Sequence, residues 1–228
     1  NALSGTAPGR PKFKNFVDGV DGEADVNIVN DNDKVVIGNT NPKFSGGFGL
    51  SGSWKNLDFS ANFTYMYGFD VNNATRYTLS SFENNSNNYY NVLPEFNEDR
   101  RWRYANDAGD RMLNDVRYKD QYVEMNSNAV IFNPVDIGKK VTHSYFIEDG
   151  SFLRLQDITV GYTLPAKISR KIGMDRLRLY FSGYNLWIWS KYTRYDPEVD
   201  VQSGLTPGVD YNRYPRSRRY VFGVNITF

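Results

Sequence analysis

Few residues in this chain could do chemistry. Acidic side chains crowd between Asp18 and Asp33, with Asp21, Asp25 and Asp31 between them, the type of segment that could hold a calcium ion. A calcium loop needs oxygen ligands at alternate positions, a glycine at the sixth and a bidentate Glu at the twelfth. Counted from Asp21, the sixth position is Val26 and the twelfth Asn32. The stretch reads as a solvated acidic turn, and no metal site is expected. Gly47, Gly49 and Gly52 satisfy G-x-G-x-x-G, but a dinucleotide fingerprint needs a preceding strand and a helix at the last glycine. A period-2 strand pattern runs straight through this one, so the glycines are expected to smooth the polar face of that strand. His143 is the single histidine, in a polar loop, and cysteine is absent. That excludes disulfides, thiolate metal sites and cysteine nucleophiles, and any Ser-His-Asp triad would have to be built around one imidazole. No catalytic residue and no cofactor is expected, and the chain does not read as an enzyme.

Recognition is the chemistry that remains. The run from Glu98 to Tyr104 and the stretch from Trp187 to Tyr195 mix aromatic rings with guanidinium groups. Aromatic faces stack on sugars or grip peptides, and arginine pairs with carboxylates. The candidate contacts to a ligand or covering partner are Arg101, Trp102, Arg103, Tyr104, Trp189, Tyr192 and Tyr195. Packing of loops against one another would account equally well for any one of them. Trp187 and Trp189 are also expected as anchors at a membrane boundary. A net charge of +1 gives no overall basic field, and no nucleic acid is expected as partner.

The elements that position these loops are strands. At the end of the chain Tyr220, Phe222, Val224, Ile226 and Phe228 alternate with Gly223, Asn225 and Thr227, giving one oily and one wet side. Such a strand suits the lipid-facing wall of an outer-membrane β-barrel, and these five apolar residues are its expected barrel-assembly signal. Four earlier segments alternate in the same way, so strands are expected at about 47–54, 57–67, 152–164, 176–186 and 219–228. Leu153 and Leu155 sit out of phase with Ile158, Val160 and Tyr162, which predicts a bulge between them. From Pro165 to Gly173 the sequence predicts a short helical turn with Ile168 and Ile172 on one face, a structural plug beneath the wall. No run approaches the roughly 18 apolar residues that a membrane helix needs.

Connections alternate between short and long. Short turns at Lys55-Asn56 and at 165–175 fit the periplasmic side, and residues 1–46, 68–151 and 187–218 fit extracellular loops. The chain opens Asn-Ala-Leu-Ser-Gly, without initiator Met, charged n-region or apolar h-region, so a leader is expected to have been removed upstream. Five strands cannot close a barrel, since the smallest bacterial ones use about eight. The segment is expected to be the C-terminal part of a larger one.

The motifs carry a family resemblance. The stretch from Glu148 to Pro165 (EDGSFLRLQDITVGYTLP), Arg178 to Leu186 (RLYFSGYNL), Tyr195-Asp196-Pro197-Glu198-Val199, and Tyr214-Pro215-Arg216 followed by Tyr220 to Phe228 resemble, in order and spacing, the closing part of SusC/RagA-type TonB-linked outer-membrane transporters. Val36-Ile37-Gly38-Asn39, Pro42-Lys43 and Gly46-Gly47-Phe48 resemble an earlier strand entry of that family, and the match is weakest over 68–145. The resemblance implies an all-β, 22-stranded transmembrane barrel of which this chain supplies the last five strands, with the N-terminal plug absent from it. It implies residence in the outer membrane of a Gram-negative bacterium, energy from the TonB-ExbB-ExbD complex, a SusD-like surface lipoprotein, and oligosaccharide or peptide cargo. A structural or adhesive barrel that transports nothing is the rival expectation, and a passive porin a second.

Overall fold

The computed structural model describes residues 8–16, 29, 31–80, 93–134, 142–199 and 207–228. These fall into two compact units. One comprises Gly38–Asn73 with Ile147–Phe228, the other Asn1–Ile37 with Ala74–Phe146.

The first unit is built on a five-stranded antiparallel sheet of β1 (Phe44–Trp54), β2 (Leu57–Tyr67), β5 (Phe152–Thr163), β6 (Arg176–Ser190) and β7 (Arg219–Thr227), adjacent in that order. β1 and β2 form a full hairpin from Phe44↔Tyr67 to Trp54↔Leu57, closed by a two-residue turn in which Lys55 takes a φ of 55°. β6 runs to Ser190, four residues past the expected end at 186, so Trp187 and Trp189 belong to a strand and not to a loop. A small pair, β3 (Asp70–Asn72) with β4 (Ile147–Asp149), stands beside the sheet. It had no periodic signature because three residues are too few to show one.

The expected bulge is present and is double. Asn62 pairs with Asp157 but Phe63 with Leu155, which leaves Gln156 over on β5. Asp157 pairs with Tyr184 but Leu155 with Trp187, so two residues of β6 face one of β5. Asn185 in that gap takes a left-handed φ of 52°, a conformation that Asn tolerates better than most residues. The two slips return Leu153 and Leu155 to the oily side, level with Tyr65 and Phe63 on one neighbour and Trp189 and Trp187 on the other.

Each face of the sheet has one character. On the apolar face, Phe59, Val160, Phe181 and Phe222 lie in one row and Leu57, Tyr162, Leu179 and Val224 in the next. Most of these side chains are exposed, Phe222 to 80% and Trp54 to 67%. Gly52 is on this side, its missing Cβ replaced by the ring of Phe59; of the three motif glycines, Gly47 and Gly49 lie on the polar side.

That polar face is cross-linked. Asn62 Nδ2 donates to Asp157 Oδ1 at 2.8 Å, the Thr159 and Ser182 hydroxyls lie 2.8 Å apart, and Arg178 Nε donates to Asp58 Oδ1 at 3.0 Å. The last bond spans two strands. Arg178 on β6 reaches across Gly161 on β5 to Asp58 on β2, and a Cβ at Gly161 would collide with the guanidinium.

Between β5 and β6 the chain forms α3 (Ala166–Ser169) and a 3-10 turn (Arg170–Ile172), started by Pro165 and ended by Gly173 at φ 78°. Its position is as expected, but its packing is not. Ile168 and Ile172 are exposed, and it is Ser169 that is fully buried, its hydroxyl bonding back to the carbonyls of Ala166 and Asp175.

The second unit has its own core of Phe96, Met112, Ile131 and Phe146 and holds α1 (Ala74–Leu79) and α2 (Lys119–Met125). Much of the expected loop 68–151 is therefore folded, and it packs with residues near the start of the chain. Gly9 accepts a backbone bond from Asn133 at 2.8 Å, and the Tyr104 hydroxyl donates to the Pro8 carbonyl at 3.0 Å.

Candidate functional site

Three of the recognised motifs are held together by an ion network in the sheet unit. Arg154 stands on β5 and is 3% exposed. Its Nη2 donates to Asp196 Oδ1 at 2.7 Å and to Glu198 Oε2 at 3.3 Å. Pro197 between the two acids is fully buried, and Asp196 Oδ1 also accepts the Glu198 amide at 3.0 Å, an Asx turn that aims both carboxylates at the arginine. Arg216 completes the set 2.7 Å from Glu198 Oε1, and Arg213 donates to the Glu198 carbonyl at 2.7 Å. The segment after β6 is thereby fixed to the sheet. Each participating residue lies in or beside a motif visible in the sequence, but their coupling across 15 to 44 residues has no sequence signal.

Beside this network Tyr192 is buried with Phe69, Val71 and Phe152, and its hydroxyl donates to Asp210 Oδ2 at 2.6 Å. Burial, and then the bond to Asp210, pushes its phenol well above the usual tyrosine range. Tyr192 thus packs a core and offers no free face. Trp189 lies on the apolar face of β6 opposite Leu153, 6.4 Å from Trp187. Of the three aromatic candidates in this unit, Tyr195 is the one exposed beyond the strands, at 69%, with Arg194 over its ring.

The other four candidates lie in the second unit, and three of them meet there. Arg101, Arg103 and Tyr104 line a cavity of about 600 Å³ with Glu98, Asp107 and Arg111. Arg103 Nη1 lies 2.7 Å from Asp107, while Arg101 approaches Glu98 only to 3.7 Å. Trp102 points elsewhere, donating from Nε1 to the Tyr122 hydroxyl at 2.7 Å. Arg111 was not among the sequence candidates. It lacks a neighbouring aromatic in sequence, and a bridge between Ala105 and Arg111 brings it back to the cavity.

His143 was expected in a polar loop and is instead set among rings, with Phe146 at 4.6 Å and Phe13 at 5.5 Å between centroids. Burial lowers its pKa below the usual histidine value. Among the described residues no group of three His, Cys, Asp or Glu could hold a metal ion. The acidic residues Asp18, Asp21 and Asp25 lie outside the described residues, whereas Asp33 is buried and accepts the Phe16 amide at 2.6 Å. No helix among the described residues is long and apolar enough to cross a membrane.

The chain matches no family model. It is 29% identical over 233 residues to TonB-dependent receptor P3 of Formosa agariphila, a match covering 99% of this chain and 20% of that protein. It is 37% identical over 86 residues to TonB-dependent receptor SusC of Bacteroides thetaiotaomicron, covering 37% of this chain and 8% of that protein. Among solved structures it superposes on the RagAB peptide importer in its open-open state with a TM-score of 0.60, at 23% identity, over 93% of this chain and 20% of that one. The closed-closed state gives 0.57 over 92% of this chain. The chain spans about a fifth of the length of the curated relatives it matches. Fold and relatives point the same way: the chain is β-sheet structure similar in sequence to TonB-dependent receptors and in fold to the RagAB importer. The similarity extends to a receptor of the SusC type, in line with the motifs.

Proposed function

We propose that the chain forms part of the barrel wall and outer loops of a TonB-dependent importer that takes up glycan or peptide oligomers across a Gram-negative outer membrane. The observation that carries this reading is the two-faced sheet. β1 and β2 are 11 residues each, about 34 Å along the strand and so about 24 Å in height at a tilt near 45°, close to the ~25 Å apolar band of outer-membrane barrels. Aromatics occupy both ends of the apolar face, Trp54 and Tyr162 at one, Phe44, Tyr67, Trp187 and Trp189 at the other. This is the girdle pattern of a lipid-facing wall. In water, so large an exposed apolar surface would favour association.

β1 and β7 each pair on one side within this chain. In hydrocarbon their other edges need partner strands, because unpaired backbone groups cost several kcal/mol each. A barrel of 22 strands, a plug that engages TonB-ExbB-ExbD and a SusD-like lipoprotein lid complete the reading. The names of the relatives support it. In this reading the chain carries out no chemical step. The wall holds, and the loops meet cargo or lid.

Uptake of fluorescent oligosaccharides and peptides by cells carrying the full-length receptor tests the proposal. The expected result is saturable uptake that stops when TonB is deleted. Undiminished uptake without TonB, or none for any oligomer while the protein is displayed at the surface, would favour the structural or adhesive barrel instead.

A further inference from the structure

We infer that the cavity bounded by Arg101, Arg103 and Arg111 is a subsite for a carboxylate carried by the cargo. The inference rests on the import reading for its biological setting, but on the geometry of the second unit for its chemistry. Three guanidiniums and two carboxylates, Glu98 and Asp107, line the same space, and the acids leave much of the donor capacity unused. Asp107 at 2.7 Å and, loosely, Glu98 at 3.8 Å engage the same Nη1 of Arg103, and Arg103 Nε, buried, has no hydrogen-bond partner among the described residues. Arg101 is 3.7 Å from a Glu98 whose side chain is 68% exposed, a loose and water-screened contact. Arg111 takes part in no side-chain hydrogen bond or ion pair among the described residues. A buried guanidinium donor without an acceptor is costly, and an arginine fork matches a carboxylate in two parallel bonds. The volume, about 600 Å³, lies in the range of small-molecule sites and would take one acidic residue of an oligomer with its neighbours. Tyr104 offers a ring face, and Asn106 a side-chain amide, to the uncharged remainder.

The carboxylate could belong to a uronic acid or to an acidic peptide, and matched probes separate the two. Binding to the purified full-length receptor would be measured by calorimetry with a galacturonate trisaccharide against its neutral galactose counterpart, and with end-capped Ala-Asp-Ala against Ala-Asn-Ala. The acid of at least one pair should bind about tenfold or more tightly than its neutral partner, consistent with one charge-assisted pairing, and its affinity should fall with salt. Arg111→Gln breaks no side-chain hydrogen bond or ion pair among the described residues. It should erase that preference while leaving the neutral probe unchanged. Equal binding of acid and neutral in both pairs would overturn the inference, as would an acid preference that survives Arg111→Gln. Failure of TonB-dependent uptake with the binding preference intact would remove the import reading and leave the subsite standing.

Discussion

Replacing Arg154 by Met tests whether the ion network is what fixes the segment after β6. Arg154 and Asp196 side chains are 4% and 9% exposed, so the substitution strands a nearly dry carboxylate. Removing one partner of a buried pair costs about 3–5 kcal/mol. Here the lower end applies, because Glu198 keeps Arg216 at 2.7 Å and Asp196 keeps the Glu198 amide at 3.0 Å. About 3 kcal/mol corresponds to roughly 150-fold more frequent local opening. Hydrogen exchange of residues 191–199, read by mass spectrometry on the purified full-length protein, should accelerate by about that factor while β2 and β5 are unaffected. The double variant Arg154→Met with Asp196→Asn removes the stranded charge and should recover much of the loss. If Arg154→Met changes exchange less than about fivefold, which is about 1 kcal/mol, or if the double variant is worse than the single, the network does not hold the segment and the reasoning is wrong.

Gly161→Ala should cost about 1–3 kcal/mol, the usual range for overpacking, because the new methyl displaces Arg178 from Asp58; heat-modifiability on gels would show unfolding at lower temperature. Phe222→Arg, midway along the apolar side of β7, should destabilise the proposed barrel by about 2–4 kcal/mol in bilayers. A solvent-facing β7 would instead tolerate the change, with normal refolding into vesicles. The pKa of His143 is depressed in the folded state by burial, so the unfolded chain binds the proton more readily. Its neutral form therefore supports the aromatic cluster fully above about pH 6.5, and that support is lost as pH falls toward the folded value. Intrinsic-rate-corrected hydrogen exchange of residues 143–146 should speed up between pH 7.5 and 5, and His143→Phe should flatten the response. Tyr192→Phe strips the bond to Asp210 and should cost about 1–3 kcal/mol, readable as faster exchange in residues 191–199.

Period-2 alternation over ten or so residues is a local property; it marked the five long strands, the out-of-phase step at Leu153 and Leu155 and the oily and wet faces, but not the start of β1 at Phe44, three residues before the expected 47, nor the end of β6 at Ser190. Proline and glycine located the turn at 165–173 for the same reason: their backbone limits act on single residues. Where a signal depends on partners far along the chain, the sequence was mute or misleading. Trp189 and Tyr192 read as loop aromatics, but whether a ring faces outward depends on how far β6 continues and on whether a core of Phe69, Val71 and Phe152 forms around it. His143, polar by its neighbours in sequence, is apolar by its neighbours in space.

By itself, then, the sequence determined the sheet, its register of faces and its kinship, because side-chain alternation and motif order survive without tertiary contacts. Only the tertiary structure decided that Arg154 answers the two acids of the Asp-Pro-Glu turn, that Arg178 bridges over Gly161, and that Arg111 joins Arg101 and Arg103 around one cavity. Pairing of charges is short-ranged in space and indifferent to separation along the chain, so it becomes visible once the backbone has brought the partners within a few ångströms.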